Sequence, residues 1–136
     1  MPTIKSFEDL EIWKKAQELA KGIYQLAEKN EMIRKDFSFK DQIKRAGLSI
    51  SNNIAEGFEY SNNRDFIKFL RYSKGSAGEV RNCLLFAVNV NFLNKEEAQQ
   101  LLSSTIELGN RIGKLIKYLQ EKSAMAKNSQ AVIRNT

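Results

Sequence analysis

One proline in the whole chain, at position 2, is the feature that most restricts what this sequence can become. Proline removes a backbone donor and clashes with the preceding turn, so it ends or kinks helices. Beyond residue 2 nothing of that kind interrupts the chain, and apolar residues recur at the three-and-four spacing of a helix face. The first such pattern runs from about residues 7–10 to Asn30 through Ile12, Trp13, Ala16, Leu19, Ala20, Ile23, Tyr24, Leu26 and Ala27. A second begins near Ser38, where Ser38-x-x-Asp41 resembles a capping box. It follows Phe39, Ile43, Ala46, Gly47, Ile50, Ile54 and Phe58, with Gly57 as its stop. A third opens at Ser61-Asn62-Asn63 and reaches about Asn89 through Phe66, Phe69, Leu70, Ser73, Ala77, Val80, Leu84, Ala87 and Val88. Asn94-x-x-Glu97 caps a fourth, which carries Ala98, Leu101, Thr105, Leu108, Ile112, Leu115, Ile116 and Leu119.

Short connections between long helices imply antiparallel neighbours. The expected fold is therefore all-α, an up-down-up-down four-helix bundle over residues 1–122. Residues 123–136 are small and polar, and are expected to form a disordered tail. A chain of 136 residues suits one domain and can bury roughly 65–70% of the surface its unfolded form exposes. The first residues have no apolar leader and no run reaches the ~18 apolar residues of a membrane span, so a cytoplasmic protein with no membrane partner is expected.

Residue types that are missing remove whole classes of chemistry. There is no histidine, the commonest general base and metal ligand, and Cys83 is the only cysteine. No metal site and no cofactor are expected. Arg45, Ser49, Asn52 and Glu56 share a polar stripe on the second helix, with Glu79 available on the third. An acid/base site at Glu56 or Glu79 is the enzymatic reading; buried or inter-subunit hydrogen bonding is the plainer one. Cys83, beside the core stripe, reads as a small buried hydrophobe rather than a nucleophile.

Six of the seven glycines, Gly22, Gly47, Gly75, Gly78, Gly109 and Gly113, fall inside predicted helices. Each costs roughly 1 kcal/mol there relative to alanine. Gly75, Gly78, Asn82 and Phe86 lie within about 40° of one line opposite the core stripe. Gly109 and Gly113 share another flank with Leu102 and Ile106. Close contact with a second copy explains both sets; tolerated glycines beside a stray surface phenylalanine is the bland alternative.

The charge balance is 22 Lys+Arg against 16 Asp+Glu, or +6. Residues 1–107 carry 16 basic and 15 acidic residues, whereas residues 108–136 carry six basic residues and only Glu121. Arg64, Lys68 and Arg71 form one stripe on the third helix; Arg111, Lys114, Lys117, Tyr118 and Lys122 mark the polar side of the fourth. Such surfaces displace counterions from phosphate, with tyrosine offering a stacking face. An ordinary solvated face is the competing reading.

Three segments resemble the 23S rRNA intervening-sequence family of small helical bundles. They are Phe7-Glu8-Asp9-Leu10-Glu11-Ile12-Trp13 with Ala16; Gln42-Ile43-Lys44-Arg45-Ala46 followed by Ser49-Ile50-Ser51-Asn52-Asn53-Ile54-Ala55-Glu56-Gly57-Phe58; and Phe66-Ile67-Lys68-Phe69-Leu70 leading to Gly75-Ser76 and Glu79. The Asn53-Ile54-Ala55-Glu56-Gly57 run is the most specific of them. The resemblance implies an antiparallel four-helix bundle assembled as a homopentameric barrel, and leaves function open. A similar fold is found in the accessory variability determinant of diversity-generating retroelements, a basic pentamer that binds nucleic acid and a partner reverse transcriptase. The chain departs from the family pattern at Glu59-Tyr60, where Gly-Arg is common, and at Ala77-Gly78. The leading expectation is a non-enzymatic oligomer binding RNA or DNA nonspecifically through Arg64, Lys68, Arg71, Arg111, Lys114, Lys117 and Tyr118. Its rival is a protein-interaction scaffold that binds no nucleic acid.

Overall fold

In the computed structural model the backbone is described for residues 4–134 and the side chains for residues 4–128. Every regular element among the described residues is helical. A single 3-10 turn at Phe7–Asp9 precedes α1 (Glu11–Lys29), α2 (Glu31–Lys35), α3 (Phe37–Glu59), α4 (Asn63–Asn89) and α5 (Lys95–Arg134). Four of these match the expected long helices. The fifth, α2, is a single short helix inside the first connection, and it corrects the reading of that segment as a plain loop.

Asparagine chemistry explains α2. The Asn30 side chain accepts from the Ile33 amide at 2.9 Å and so caps α2, while its own amide donates to the Phe92 carbonyl at 2.8 Å. One residue thus starts a helix and ties the end of α1 to the α4–α5 turn. Asp36 then caps α3 by accepting from the Phe39 amide at 3.0 Å, so α3 starts at Phe37 and the expected Ser38 cap is displaced. The caps of the later helices fall where the sequence puts them. Asn62 accepts from the Asp65 amide at 2.8 Å, and Asn94 and Glu97 exchange bonds of 2.8 and 3.0 Å in a reciprocal capping box. Asn91, at φ 64°, supplies the left-handed residue of the α4–α5 turn, a conformation asparagine tolerates.

The core joins all the long helices. Ile23 of α1, Ile43, Ile50 and Ile54 of α3, Leu70, Val80 and Leu84 of α4, and Leu108 and Ile112 of α5 are fully buried. Each contributes roughly 1.5–3 kcal/mol of apolar burial. α1 packs on α3 and α5, α3 on α4, and α4 on α5. On α4 the buried residue at the first turns is Ile67, with Phe66 and Phe69 only half-buried, so the stripe is rotated slightly from its expected line.

Two expectations about helix ends need correction. Gly57 does not stop α3, which continues to Glu59; Gly57 is buried inside it, and a Cβ there would lie 2.7 Å from the Phe69 Cβ. The helical pattern also does not stop at Lys122, because α5 continues to Arg134. No proline or glycine follows Gly113, and Ala124, Met125, Ala126 and Lys127 are good helix formers. What ends near Lys122 is burial: residues 124–128 are all exposed, so α5 projects past the core that holds its earlier turns. Of the expected disordered tail, residues 123–136, the backbone is helical as far as Arg134, and residues 135–136 lie outside the described residues.

Candidate nucleic-acid interface

Position on α4 decides what its surface offers. Arg64, Lys68, Arg71, Gly75, Gly78, Asn82 and Phe86 are all exposed and share one outer face, basic in its first half and glycine- and phenylalanine-bearing in its second. Among the described residues no carboxylate stands within ion-pair distance of Arg64, Lys68 or Arg71. The contrast is with Lys35, Arg45 and Arg111, each held by an acidic residue four positions earlier on its own helix.

On α5, Lys114 and Lys117 are exposed and likewise without an ion-pair partner among the described residues. Arg111 differs: its Nε donates to Glu107 Oε1 at 3.1 Å, and Lys15 approaches the same oxygen at 3.7 Å. The Arg111 hydrogen bond first, and the Lys15 charge second, hold the Glu107 carboxyl below its ordinary value. Arg111 is therefore the most neutralised of the proposed phosphate contacts. Tyr118 is 51% exposed, and the Lys122 ammonium sits 5.3 Å from its ring centroid.

Residues that the stripe reasoning passed over line the seam between α4 and α5. Lys74 and Arg81 border a shallow groove with Gly78, Ile106, Gly109 and Asn110, and the Lys74 ammonium lies 3.4 Å from where a Gly113 Cβ would be. The signal was present in the spacing Arg71, Lys74, Gly78, Arg81, which follows one flank of the helix. Further along the same seam, Leu85, Phe86 and Leu102 border a second, mainly apolar groove.

Six of the seven glycines divide into two groups, and Gly113, beside the Lys74 side chain, belongs to neither. Gly22, Gly47 and Gly57 are explained within one chain: a Cβ would meet Leu101 at 3.0 Å, Ile23 at 2.8 Å and Phe69 at 2.7 Å respectively. Gly22 and Gly47 thus owe nothing to a second copy. Gly75, Gly78 and Gly109 face open space, with no atom within 4 Å of a built Cβ.

The polar residues of α3 and α4 form a seam rather than a reaction centre. Ser49 and Ser76 hydroxyls lie 2.9 Å apart, the Asn53 amide donates to the Ser49 carbonyl at 2.8 Å, and the Ser73 hydroxyl donates to the Ile50 carbonyl at 2.8 Å. On α1, Gln17 donates to Ser51 at 2.9 Å. Small residues with short hydroxyls let these helices approach and still satisfy every buried polar atom among the described side chains. Ala55 is half-buried and Glu56 exposed; Glu79 lies beside the exposed Asp41–Arg45 pair, whose atoms are 2.9 Å apart. Cys83 is buried, and burial first, then the Glu79 charge, push its thiol above the ordinary 9.0. Among the described residues no three acidic or cysteine side chains converge on one point. No described helix is long and apolar enough to cross a membrane.

The Ser49–Gly57 seam is also where the sequence resemblance is densest, and comparison with known families decides what it means. The description "23S rRNA-intervening sequence protein" matches residues 8–114. The chain belongs to that family. The match spans the packed helices and stops before the projecting end of α5. A solved structure agrees: a protein of unknown function from the S23 ribosomal protein family of Bacteroides thetaiotaomicron VPI-5482, at 25% identity and a TM-score of 0.70. The alignment covers 78% of this chain and 98% of that one. No curated protein matches. The Asn53–Gly57 run is accounted for by helix packing, with Gly57 seated on Phe69 and Asn53 bound to Ser49.

Proposed function

We propose that the protein is a non-enzymatic, homo-oligomeric helical bundle that binds RNA or DNA nonspecifically through its basic helix faces. The observation that carries the reading is the outer face of α4, where Arg64, Lys68 and Arg71 are exposed and have no ion-pair partner among the described residues, together with Lys114 and Lys117 on α5. Cations left free in this way release counterions on meeting phosphate, and they impose no sequence preference. An up-down-up-down order is supported by contacts that run in opposite chain directions: Gly47 with Ile23 and Ser51 with Gln17, Ser49 with Ser76 and Gly57 with Phe69, Lys15 with Glu107 and Gly22 with Leu101.

Self-association, with a pentamer as the expected form, is supported by Gly75, Gly78 and Gly109 opening onto solvent beside Phe86 and Ile106, which are 50% and 41% exposed. A ring of copies would gather the basic ends of α5 into one zone and raise its potential. The same apolar groove favours the second reading, a scaffold that docks a protein partner such as a reverse transcriptase, with its charge serving solubility. Titrating a labelled oligonucleotide at low and high salt separates the two. Binding that weakens steeply with salt supports the first reading; no binding at low salt, or binding indifferent to salt, refutes it.

A further inference from the structure

The α3–α4 turn carries three aromatic rings in one group. Tyr60, immediately after α3, lies parallel to Phe69 with centroids 5.2 Å apart and planes 9° from parallel. Tyr72, one turn further along α4, meets Phe69 edge-on at 5.7 Å and 87°. Phe69 itself cannot move away, since its Cβ abuts the bare α-carbon of Gly57, and Phe66 below it is pinned edge-on by Phe58 at 5.9 Å. The group is therefore mounted on the close approach of α3 and α4 at Gly57. Tyr60 and Tyr72 are nonetheless each 52% exposed, so one face of the Tyr60 ring and much of the Tyr72 ring meet water.

One cation stands beside this group. The Lys68 ammonium is 5.7 Å from the Phe69 centroid, and Arg64 and Arg71 flank Lys68 on its own face of α4, without ion-pair partners among the described residues. Three carboxylates are near in sequence, and Glu56, one turn before Tyr60, is exposed. Asp65 is held by the Asn62 amide at 2.8 Å in the helix cap, and Glu59 is exposed on the last turn of α3. Scattered exposed tyrosines need no explanation, but rigidly held rings beside a lysine with no ion-pair partner among the described residues match one ligand chemistry closely. Bases present flat π-faces and the backbone between them presents phosphate.

We infer that Tyr60, Phe69 and Tyr72, with Lys68 beside them, form a base-stacking site for single-stranded nucleic acid, Tyr60 and Tyr72 each offering a face to one base. This rests on the nucleic-acid reading above and deepens it, since paired bases in a duplex have no free face to offer. Arg64 and Arg71 hold the intervening phosphates. Tyr118 then becomes a secondary contact rather than the principal stacker.

The test uses the full chain and a short labelled oligouridine, alongside a base-free ribose-phosphate chain of equal length and a duplex. Tyr60→Leu and Tyr72→Leu are each expected to weaken oligouridine binding by about tenfold. Binding of the base-free chain should be unchanged, and Tyr60→Phe should retain wild-type affinity. Quenching of a 2-aminopurine placed in the strand should disappear with the double leucine variant. If wild-type protein binds oligouridine and the leucine variants bind it equally well, the stacking site is overturned while the electrostatic reading stands. If wild-type protein binds neither single strand nor duplex at low salt, the nucleic-acid reading itself fails. Loss of binding by a leucine variant counts only if its helical circular dichroism is unchanged; a misfolded variant is replaced by Tyr72→Ser, whose expected effect is the same.

Discussion

Adding one methyl group at Gly57 should be among the most damaging small changes in the molecule. Gly57 has ordinary helical backbone, and no glycine of the described chain has positive φ, so alanine is conformationally acceptable there. By helix propensity alone, Gly57→Ala would stabilise by roughly 1 kcal/mol. Sterics oppose this: the new Cβ would lie 2.7 Å from Phe69 Cβ, 3.2 Å from a Phe66 ring carbon and 3.4 Å from the Phe66 carbonyl oxygen. A Cβ and a carbonyl oxygen cannot swing aside as a side-chain tip can, so α3 and α4 must separate by about 1 Å. Overpacking of this kind costs roughly 1–3 kcal/mol. Separation also strains the Ser49–Ser76 and Ser73–Ile50 bonds, worth roughly 1 kcal/mol each. The net is a loss of about 2 kcal/mol, or a Tm roughly 8 °C lower for a chain of this size. Thermal unfolding followed by circular dichroism, with urea denaturation for the free energy, measures it. Gly47→Ala provides the control, since its 2.8 Å contact is with the terminal methyl of Ile23, which can rotate away. A Gly57→Ala protein as stable as wild type, or less affected than Gly47→Ala, would refute the close-approach argument.

Other consequences follow from the same structure. Gly78→Ala meets no atom within 4 Å, so in an isolated chain it stabilises by about 1 kcal/mol; if the α4 face joins copies, Gly78→Leu or Phe86→Asp instead lowers the mass seen by light scattering. Cys83 should resist iodoacetamide in the native protein and react on unfolding, because burial raises its pKa. A raised folded pKa gives stability that is complete below about 9 and is lost as pH climbs toward the folded value. Glu107 has the opposite sign: its depressed pKa contributes stability above the ordinary carboxylate range that fades as pH falls through the folded value. An NMR titration should place its midpoint below 4.5 and move it upward in Arg111→Gln. Charge reversal of Arg64, Lys68 and Arg71 together should abolish oligonucleotide binding at moderate salt while leaving the helical signal intact.

Much of this architecture is legible before any coordinates. The asparagine caps at Asn62 and Asn94 and the apolar stripes of α1, α3, α4 and α5 follow from local chemistry that needs no partner. What escaped the sequence depends on distance between elements. Asn30 could not be read as the cap of α2, because its second bond goes to Phe92, far along the chain. Gly57 looks like a helix stop, since glycine most often marks one; only the arrival of Phe69 explains a glycine kept within a continuing helix. Gly47 falls in an apolar stripe and Gly75 and Gly78 opposite one, but that Leu101 presses on Gly22 and Ile23 on Gly47 shows only once the neighbouring helices are in place. In the candidate site, the exposure of Arg64, Lys68 and Arg71 was readable from periodicity. The stacking of Tyr60 on Phe69 was not, because the two lie on different helices and Phe69 reads as core. The continuation of α5 past Lys122 was missed for a different reason: burial and helicity stop at different places, and the apolar pattern reports only burial.

Sedimentation velocity of the full chain mixed with a fluorescent oligouridine tests the central claim most directly, because it reads self-association and binding together. At low salt the protein should sediment as a multimer and the label should travel with it. If Arg64, Lys68, Arg71, Lys114 and Lys117 each contact phosphate, a fourfold rise in salt should weaken binding on the order of a hundredfold and release the label. A label that sediments as free oligonucleotide at low salt, or a protein that sediments as a monomer, would contradict the account.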